Sequence, residues 1–575
     1  MWYHKVNIYR ILTDDKTKWE GAVNNQAFKK IAELVINSIS AIGAFAATVR
    51  NKTVRLFDSS VVAHHMKKFR ENIPYIKNSI IGTFMLTFGI YSTLISVFRF
   101  SFLSEGTFAD IFISLCVALL SLPFLFSRGT PGTILALSET GSIIAKVMGV
   151  RIHINHSRTT WGRANIAFLL GVLLGSATFV FAPLSVVFFI LFVVAAGFVL
   201  TYPESAVLFI TVLLPLGNGE LLSFVSVFGI VAFLIKALRG KRSITYHHHR
   251  AAALILMVMV FVSEIHSGSL KFSLMMLAFF LLCASDGNGE RAENIISVAV
   301  VVFGTVSAFY MAFVCMSVFG ETGADLSIFN IPALALCCAA LIPLSASFML
   351  SKTGLPRQTT FLCTVAMLGL LLYNGYFMYT IASAASIVIL LFFFRRRAAY
   401  AFFSAVCAFY AVWVWMGGGS NRVAVTHLLN FLKEIGIAYD EGVMYILVGG
   451  IMEDNFAPSE SFYGAILTSL GILGAVALAG VLCLLFGYIL RKKYGKGSDR
   501  STATYMRAWA PASSVVVMLI CGLGTNIWAY DEVFALFWIL MGAASAIAAD
   551  AENKARRSVM AQMISPDRTK AEITL

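Results

Sequence analysis

The chain reads as an all-α, polytopic membrane protein, and three observations carry that reading. Of its 575 residues, 58% are hydrophobic and only 13% are charged, about half the charged share of a soluble domain. Apolar runs of near-spanning length recur from end to end. About 20 residues at roughly 1.5 Å each cross a hydrocarbon core of about 30 Å. The runs are continuous and do not alternate, so the backbone groups that lipid cannot satisfy must be paired within helices, not barrel strands.

Taken in order, residues 1–79 form a basic region expected to stay cytoplasmic, since no short apolar run follows a charged start and precedes a cleavage site. Within it, Ile31 to Val49 is apolar but interrupted by Glu33, Asn37, Ser38 and Ser40 and flanked by Lys29, Lys30, Arg50 and Lys52, the pattern of a helix lying in the interface. Spans are expected to start near Ile80, Phe108, Ala167, Leu184, Ser205, Leu221, Ala251, Leu270, Ile295, Ile328, Thr359, Tyr376, Ala398, Phe462, Ala512 and Glu532. That is a bundle of about 14–16 transmembrane helices. Residues 80–130 make an additional hairpin, 131–166 a basic cytoplasmic connector, 167–549 the main transmembrane domain with an outward loop over 417–461, and 550–575 a cytoplasmic tail.

The net charge of +14 would suit a nucleic-acid partner, but the cations lie in short connectors, where the positive-inside rule puts them, so no nucleic acid is expected. With the amino terminus inside, Arg151 to Arg163, Arg239 to Arg242, Lys352 to Arg357, Arg395 to Arg397 and Arg491 to Lys493 all fall inside, and so does the carboxyl-terminal tail with Lys554, Arg556 and Arg557. Both termini are then cytoplasmic. His247, His248 and His249 lie on this inner side as a basic connector; successive residues of a helix do not converge, and no metal is expected. The nine cysteines fall mostly inside apolar runs without a CxxC pair and read as small core residues.

Only one sizeable polar segment separates two long apolar runs, from Trp413 and Gly417 to Gly419 through Ser420, Asn421 and Arg422 to Ser459, Glu460, Ser461, Phe462 and Tyr463. By the alternation it faces outward, with the turns Glu264 to Ser267, Glu321 to Asp325 and Asn526 to Asp531. Ser420 or Asn421 can cap an amphipathic helix carrying Val425, Leu428, Leu429 and Leu432 and ended by Gly436. Arg422 falls in its first turn, an anion site suited to a phosphate; the alternative is an arginine facing lipid headgroups. His427 lies further along, and Asp440, Glu441, Glu453, Asp454 and Glu460 are solvated carboxylates or, if desolvated, bases.

Five segments, in this order, resemble the O-antigen ligase and polymerase-like membrane glycosyltransferases. They are Ala308 to Gly320, Ser327 to Leu334, Asn421 with Arg422, Ser459 to Tyr463 with Leu470 to Gly474, and Phe537 to Gly542. The resemblance covers roughly residues 165 to 550. It implies a GT-C-like bundle in a bacterial cytoplasmic membrane, acting on a polyprenyl-diphosphate-linked glycan at its outer face in cell-surface polysaccharide biosynthesis. Transfer would be inverting and independent of metal or other cofactor. Arg422 would hold the donor diphosphate with Ser459, Ser461 and Tyr463 in the binding site, and Glu460 or His427 would take the acceptor proton. Two positions depart from the family. Glu460 stands where its loop histidine falls, and Tyr379 to Ser386 lacks the arginine of its Ser-Arg-Gly-Ala span. Two rival readings follow, a non-catalytic lipid-linked-glycan scaffold and a transporter or flippase; the latter would call for broken helices and mid-span charges.

Overall fold

A computed structural model describes residues 72–103, 107–148, 163–239, 244–285, 287–319, 330–351, 355–394, 396–415, 461–491 and 499–564, with isolated positions at 48, 64, 68, 242 and 447. The chain divides into a small unit, Met1–His65 with Leu238–Lys241, which falls almost entirely outside the described residues, and a large unit holding the rest. The expected interfacial helix over Ile31 to Val49 lies outside the described residues. So do Arg422, His427, Ser459 and Glu460.

Among the described residues the large unit is all helix. Its helices are α1 Asn78–Phe98, α2 Phe108–Phe126, α3 Pro131–Leu137, α4 Glu139–Val147, α5 Ala164–Ala177, α6 Pro183–Thr201, α7 Ser205–Leu213, α8 Gly219–Leu238, α9 His248–Ser267 and α10 Lys271–Met275. They continue with α11 Leu277–Cys283, α12 Gly289–Phe319, α13 Ile331–Ser351, α14 Arg357–Tyr373, α15 Phe377–Phe394, α16 Arg396–Trp415, α17 Phe462–Arg491, α18 Asp499–Cys521 and α19 Asp531–Ile564. Every span start read from the sequence falls on or within a few residues of one of these helices, except that α18 begins well before Ala512.

Among the described residues, length and composition by themselves mark fewer crossings than the 14–16 expected. Eight described helices, α1, α6, α8, α9, α12, α13, α17 and α19, are long and apolar enough to cross a membrane; α2 and α3 add a ninth only if read as one span bent by 82°. Seven further apolar stretches, in α5, α7, α10 with α11, α14, α15, α16 and α18, have only 10–17 residues. Seventeen residues of helix reach about 25 Å. Local chemistry bounds α14, between Pro356 and the Asn374-Gly375 turn, where Gly375 has φ +72°. In α18 the first turns are polar and the apolar window opens only at Arg507.

Helix α19 is the centre. An 18-residue apolar window of its spanning stretch is buried throughout, packed on by α11, α12, α13, α17 and α18. The connector expected over 131–166 carries α3 and α4, and Ile143, Ala145 and Val147 of α4 are buried, two of them in the main core. The first hairpin stands apart: α1 packs chiefly on α2 and α5. There a Cβ added to Gly89 would lie 2.7 Å from the backbone nitrogen of Ala118 and 2.8 Å from its Cα, and the Ser92 and Ser114 hydroxyls meet at 2.7 Å. In lipid such close approach replaces the hydrophobic drive that water would supply.

The polar connections fall into two sets, and α9, α17 and α19 each run from one to the other. At one end Lys271 pairs with Asp531 at 2.7 Å, the Glu264 carboxylate accepts from the N–H groups of Phe272 (2.6 Å) and Ser273 (2.7 Å), and the N–H of Phe462 donates to the Gly522 carbonyl. At the other, Arg242 and Arg291 meet Glu204, Arg507 meets Glu293, His249 meets Ser545 at 2.6 Å, and Tyr488 donates to Glu552 at 2.8 Å. Arg242, from one of the connectors that the charge alternation assigns to the inner side, lies at this second end with Arg291 and Arg507.

Two outcomes are expected. Gly89→Ala should cost about 1–3 kcal/mol by forcing α1 from α2, read as a lower midpoint in thermal unfolding of the purified protein. In a background without native cysteines, Leu523→Cys and Tyr246→Cys, both at exposed positions, should react with a membrane-impermeant maleimide from opposite sides of the membrane.

Candidate functional site

The polar segment singled out in the sequence re-enters the described structure at Ser461, and its point of entry is tightly fastened. Ser461 is buried, and its Oγ accepts from the N–H of Gly464 at 2.9 Å, which caps α17. The next residue bonds to Gly522 at the end of α18, and Tyr463 donates its phenol to the Leu519 carbonyl at 2.8 Å. Of the six residues expected at the site, the structure therefore brings Ser461 and Tyr463 together at one helix start, each with its hydroxyl engaged by backbone.

Around that start lies a cage of aromatic rings. Phe462 packs edge-on to Trp528, Trp528 stacks on Phe272, and Phe272 meets Phe534 with ring centres 5.0 Å apart. Tyr376 and Tyr379 stack nearly parallel at 5.2 Å, and the Tyr379 hydroxyl bonds to Thr525 at 2.8 Å. Aromatic residues with a polar tip suit the level where hydrocarbon meets water. Burial pushes the Tyr530 phenol up, with the Glu532 carboxylate adding to it. Burial also raises Tyr376, reinforced by Tyr530 and Tyr310. Both phenols stay protonated well above neutral pH, so they serve as hydrogen-bonding groups and not as bases there.

Three buried or half-buried carboxylates share this end, with the exposed Glu220 near them. Glu264 is 2% exposed and holds the first turn of α10; Asp531 takes Lys271; Glu532 is buried and accepts from the Asn330 side chain. Sequence reading placed Glu264 and Asp531 in outward turns without giving them a role. The signal for Glu264 was there, an acidic residue ahead of a short apolar helix, but its service to α10 depends on the intervening turn.

Helix α15, which carries Tyr379 to Ser386, is zipped by serines. Ser383 Oγ donates to the Ala339 carbonyl at 2.8 Å and Ser386 Oγ to that of Ser513 at 2.7 Å, tying α15 to α13 and α18. Beside Ser383, α15 also borders a cleft of about 540 Å³ between α13, α14, α15 and α16, lined by residues that include Met349, Leu368, Thr380, Ala384, Ile387 and Phe402. Its hydroxyl-bearing residues turn their oxygens to helix backbone: Thr364 to Thr360 and Thr380 to Tyr376. What faces the cleft is hydrocarbon, in a space of the size that holds small ligands.

Helix α17 breaks at Gly471, whose φ of 64° and ψ of −167° are open to glycine alone. The break parts the fastened turns Phe462 to Leu470 from the long remainder. Of the three histidines, His249 is buried on Ser545, His247 stacks on His249 with ring centres 5.6 Å apart, both are tilted against Tyr488, and His248 is exposed. His247 and His249 thus share one side against Tyr488, where the sequence reading expects successive residues not to converge.

Glu264→Gln should lower stability by about 1.5–3 kcal/mol, because an amide nitrogen then opposes a backbone N–H that the carboxylate had accepted; the check is denaturant unfolding in detergent, with Gln at the exposed Glu220 as control. Compared with known proteins, the chain matches no protein-family model and no curated protein.

Proposed function

We propose that this chain transfers or polymerises a polyprenyl-diphosphate-linked glycan at the outer face of a bacterial cytoplasmic membrane, as the resemblance of its five segments implies. The observation that carries the proposal is the apolar cleft beside α15. The helix lining it starts at the aromatic end, next to Tyr376 and Tyr379, and the Ser461 to Tyr463 entry lies in the same set of contacts through Thr525 and Gly522. A long isoprenoid tail would lie in the cleft, with its diphosphate at the aromatic end and Arg422 reaching it from the loop. Lys271, the cation held there by Asp531, offers a second positive charge where the family's span arginine is missing.

On this reading the leaving diphosphate needs charge stabilisation and positioning more than covalent help. Glu460 or His427 removes the acceptor proton as the new glycosidic bond forms and the diphosphate departs with its lipid. Ser461 and Tyr463 act by anchoring the segment that bears Glu460 and Ser459. The basic end, with Arg242, Arg250 and Arg291, is then cytoplasmic.

One observation favours the transport alternative: the break at Gly471 in α17 is the kind of discontinuity that lines solute paths in membranes. The two readings part in one experiment. Purified protein in liposomes is given a polyprenyl-diphosphate-linked oligosaccharide and an acceptor. Wild type should form product, with Arg422→Ala or Glu460→Gln reducing it by about a hundredfold and Ala384→Trp, which fills the cleft, weakening donor use at unchanged folding. Movement of the labelled donor across the bilayer without product would favour transport. Donor binding without either product or movement would favour the scaffold.

A further inference from the structure

The first hairpin and α5 end in cations that the proposed reaction does not use. Lys77 precedes α1, Arg128 follows α2 and Arg163 precedes α5, and all three are exposed. Hydrogen bonds between their neighbours bring the first two together. The N–H of Asn78 donates to the Gly129 carbonyl at 3.0 Å, and its fully buried side chain donates from Nδ2 to Ser127 Oγ at 2.8 Å. Arg163 joins them through the register of α5 on α1. A Cβ on Gly171 would meet Phe84 and Thr87, and one on Gly175 would meet Phe88 and Tyr91, so the two helices run parallel. Counted back turn for turn along both, Arg163 falls level with Lys77.

We propose that Lys77, Arg128 and Arg163 form a binding surface for the phosphates of anionic phospholipids. Among the described residues none of the three side chains has an ion pair or hydrogen bond. Helices α1, α2, α3 and α5 carry a single acid, Asp110, and it lies at the far end of the hairpin in a capping box with Thr107. The positive charge at this end is therefore left for an anion from outside the protein, and guanidinium and ammonium groups both suit phosphate.

Position selects a lipid over a phosphate from solution. Helix α1 is long and apolar enough to span, with 28% of its apolar window buried. Next to the cations the exposed side chains are hydrocarbon: Phe126 beside Arg128, and Ile166 and Leu169 after Arg163. Helix α3 leaves α2 at 82° and so runs across the hairpin axis with Ile134 and Leu137 exposed, as a chain lying along a membrane surface does. It is held there, since a Cβ on Gly132 would lie 2.7 Å from the Pro74 carbonyl oxygen. A phospholipid meets both features, acyl chains on the apolar residues and phosphate on the cations. By the charge alternation this is the inner leaflet, and the lipids would fasten together the inner ends of α1, α2 and α5.

The test places the purified protein in phosphatidylcholine vesicles with a trace of phosphatidylglycerol or phosphatidylcholine bearing the same photoreactive acyl chain, and maps the crosslinks by peptide mass spectrometry. The phosphatidylglycerol probe should label the turns around Phe126 and Ile166 at least about fivefold more than the phosphatidylcholine probe, the effect of about one interfacial cation. Lys77→Gln, Arg128→Gln and Arg163→Gln together should remove the preference. Each alone should lower it, which gives the reading if the triple variant does not fold. Arg357→Gln, which removes another exposed cation that the charge alternation puts on the same side, should leave it unchanged. Equal labelling by the two probes, or a preference that survives the triple variant, would overturn the surface. Equal loss in Arg357→Gln would mean diffuse attraction to a basic face and overturn it as well. A preference abolished by excess glycerol phosphate at constant ionic strength would give the cations to soluble phosphate and overturn the lipid assignment.

Discussion

Everything in the large unit depends on enclosing α19. Its apolar window of 18 residues is wholly buried, so it is held by packing, with Ala543, Ala544, Ser545 and Ala546 letting neighbours approach. A helix enclosed in this way must settle its charges at its two ends, because a charge in the middle would have neither water nor headgroup to meet. The ends are settled: Asp531 on Lys271 and Glu532 on Asn330 at one, Asp550 on Lys554 and Glu552 on Tyr488 at the other. The same contacts fix the starts and ends of α10, α13 and α17, so the order of the bundle follows from how one helix is clasped.

That clasp makes the two ends chemically different. One is acidic and aromatic, with Glu264, Asp531 and Glu532 among Trp528, Tyr530, Tyr376 and Phe272; the other is basic, with Arg242, Arg250, Arg291 and Arg507 around Glu204 and Glu293. The asymmetry suits a protein that meets different chemistry on the two faces of a membrane. At the first end the rigid entry of α17, held by Ser461 and Tyr463, fixes one terminus of the long polar segment. The cleft along α15 supplies an apolar lodging next to it. A site for a molecule with a hydrocarbon tail and an anionic head needs both.

Hydrogen-bonded serines and threonines recur through the spans: Ser383, Ser386, Thr364 and Ser92 all bond to a neighbouring helix or within their own. Each hydroxyl finds a backbone or side-chain oxygen, as a low-dielectric surrounding demands. Glu204 follows the same logic at higher stakes. A carboxylate with no exposure is tolerable because two guanidiniums and an amide surround it, and removing one partner from such a buried group typically costs about 3–5 kcal/mol.

The sequence by itself determined the class of the fold and where the described helices lie. Run length, charge placement and polar interruptions are local properties, and lipid enforces them residue by residue. Tyr376, Phe462 and Glu532 mark helix starts in the sequence and in the structure alike. It did not determine how many helices span fully, since α14 and α18 are trimmed by Asn374 and by polar first turns, nor that α17 breaks at Gly471, where a glycine is as readily helical as not. The cleft beside α15, the capping of α10 by Glu264 and the Glu204 cluster were decided only by tertiary structure. Each joins residues from different helices, and which face of one apolar helix meets another is set by side-chain fit that hydropathy does not encode.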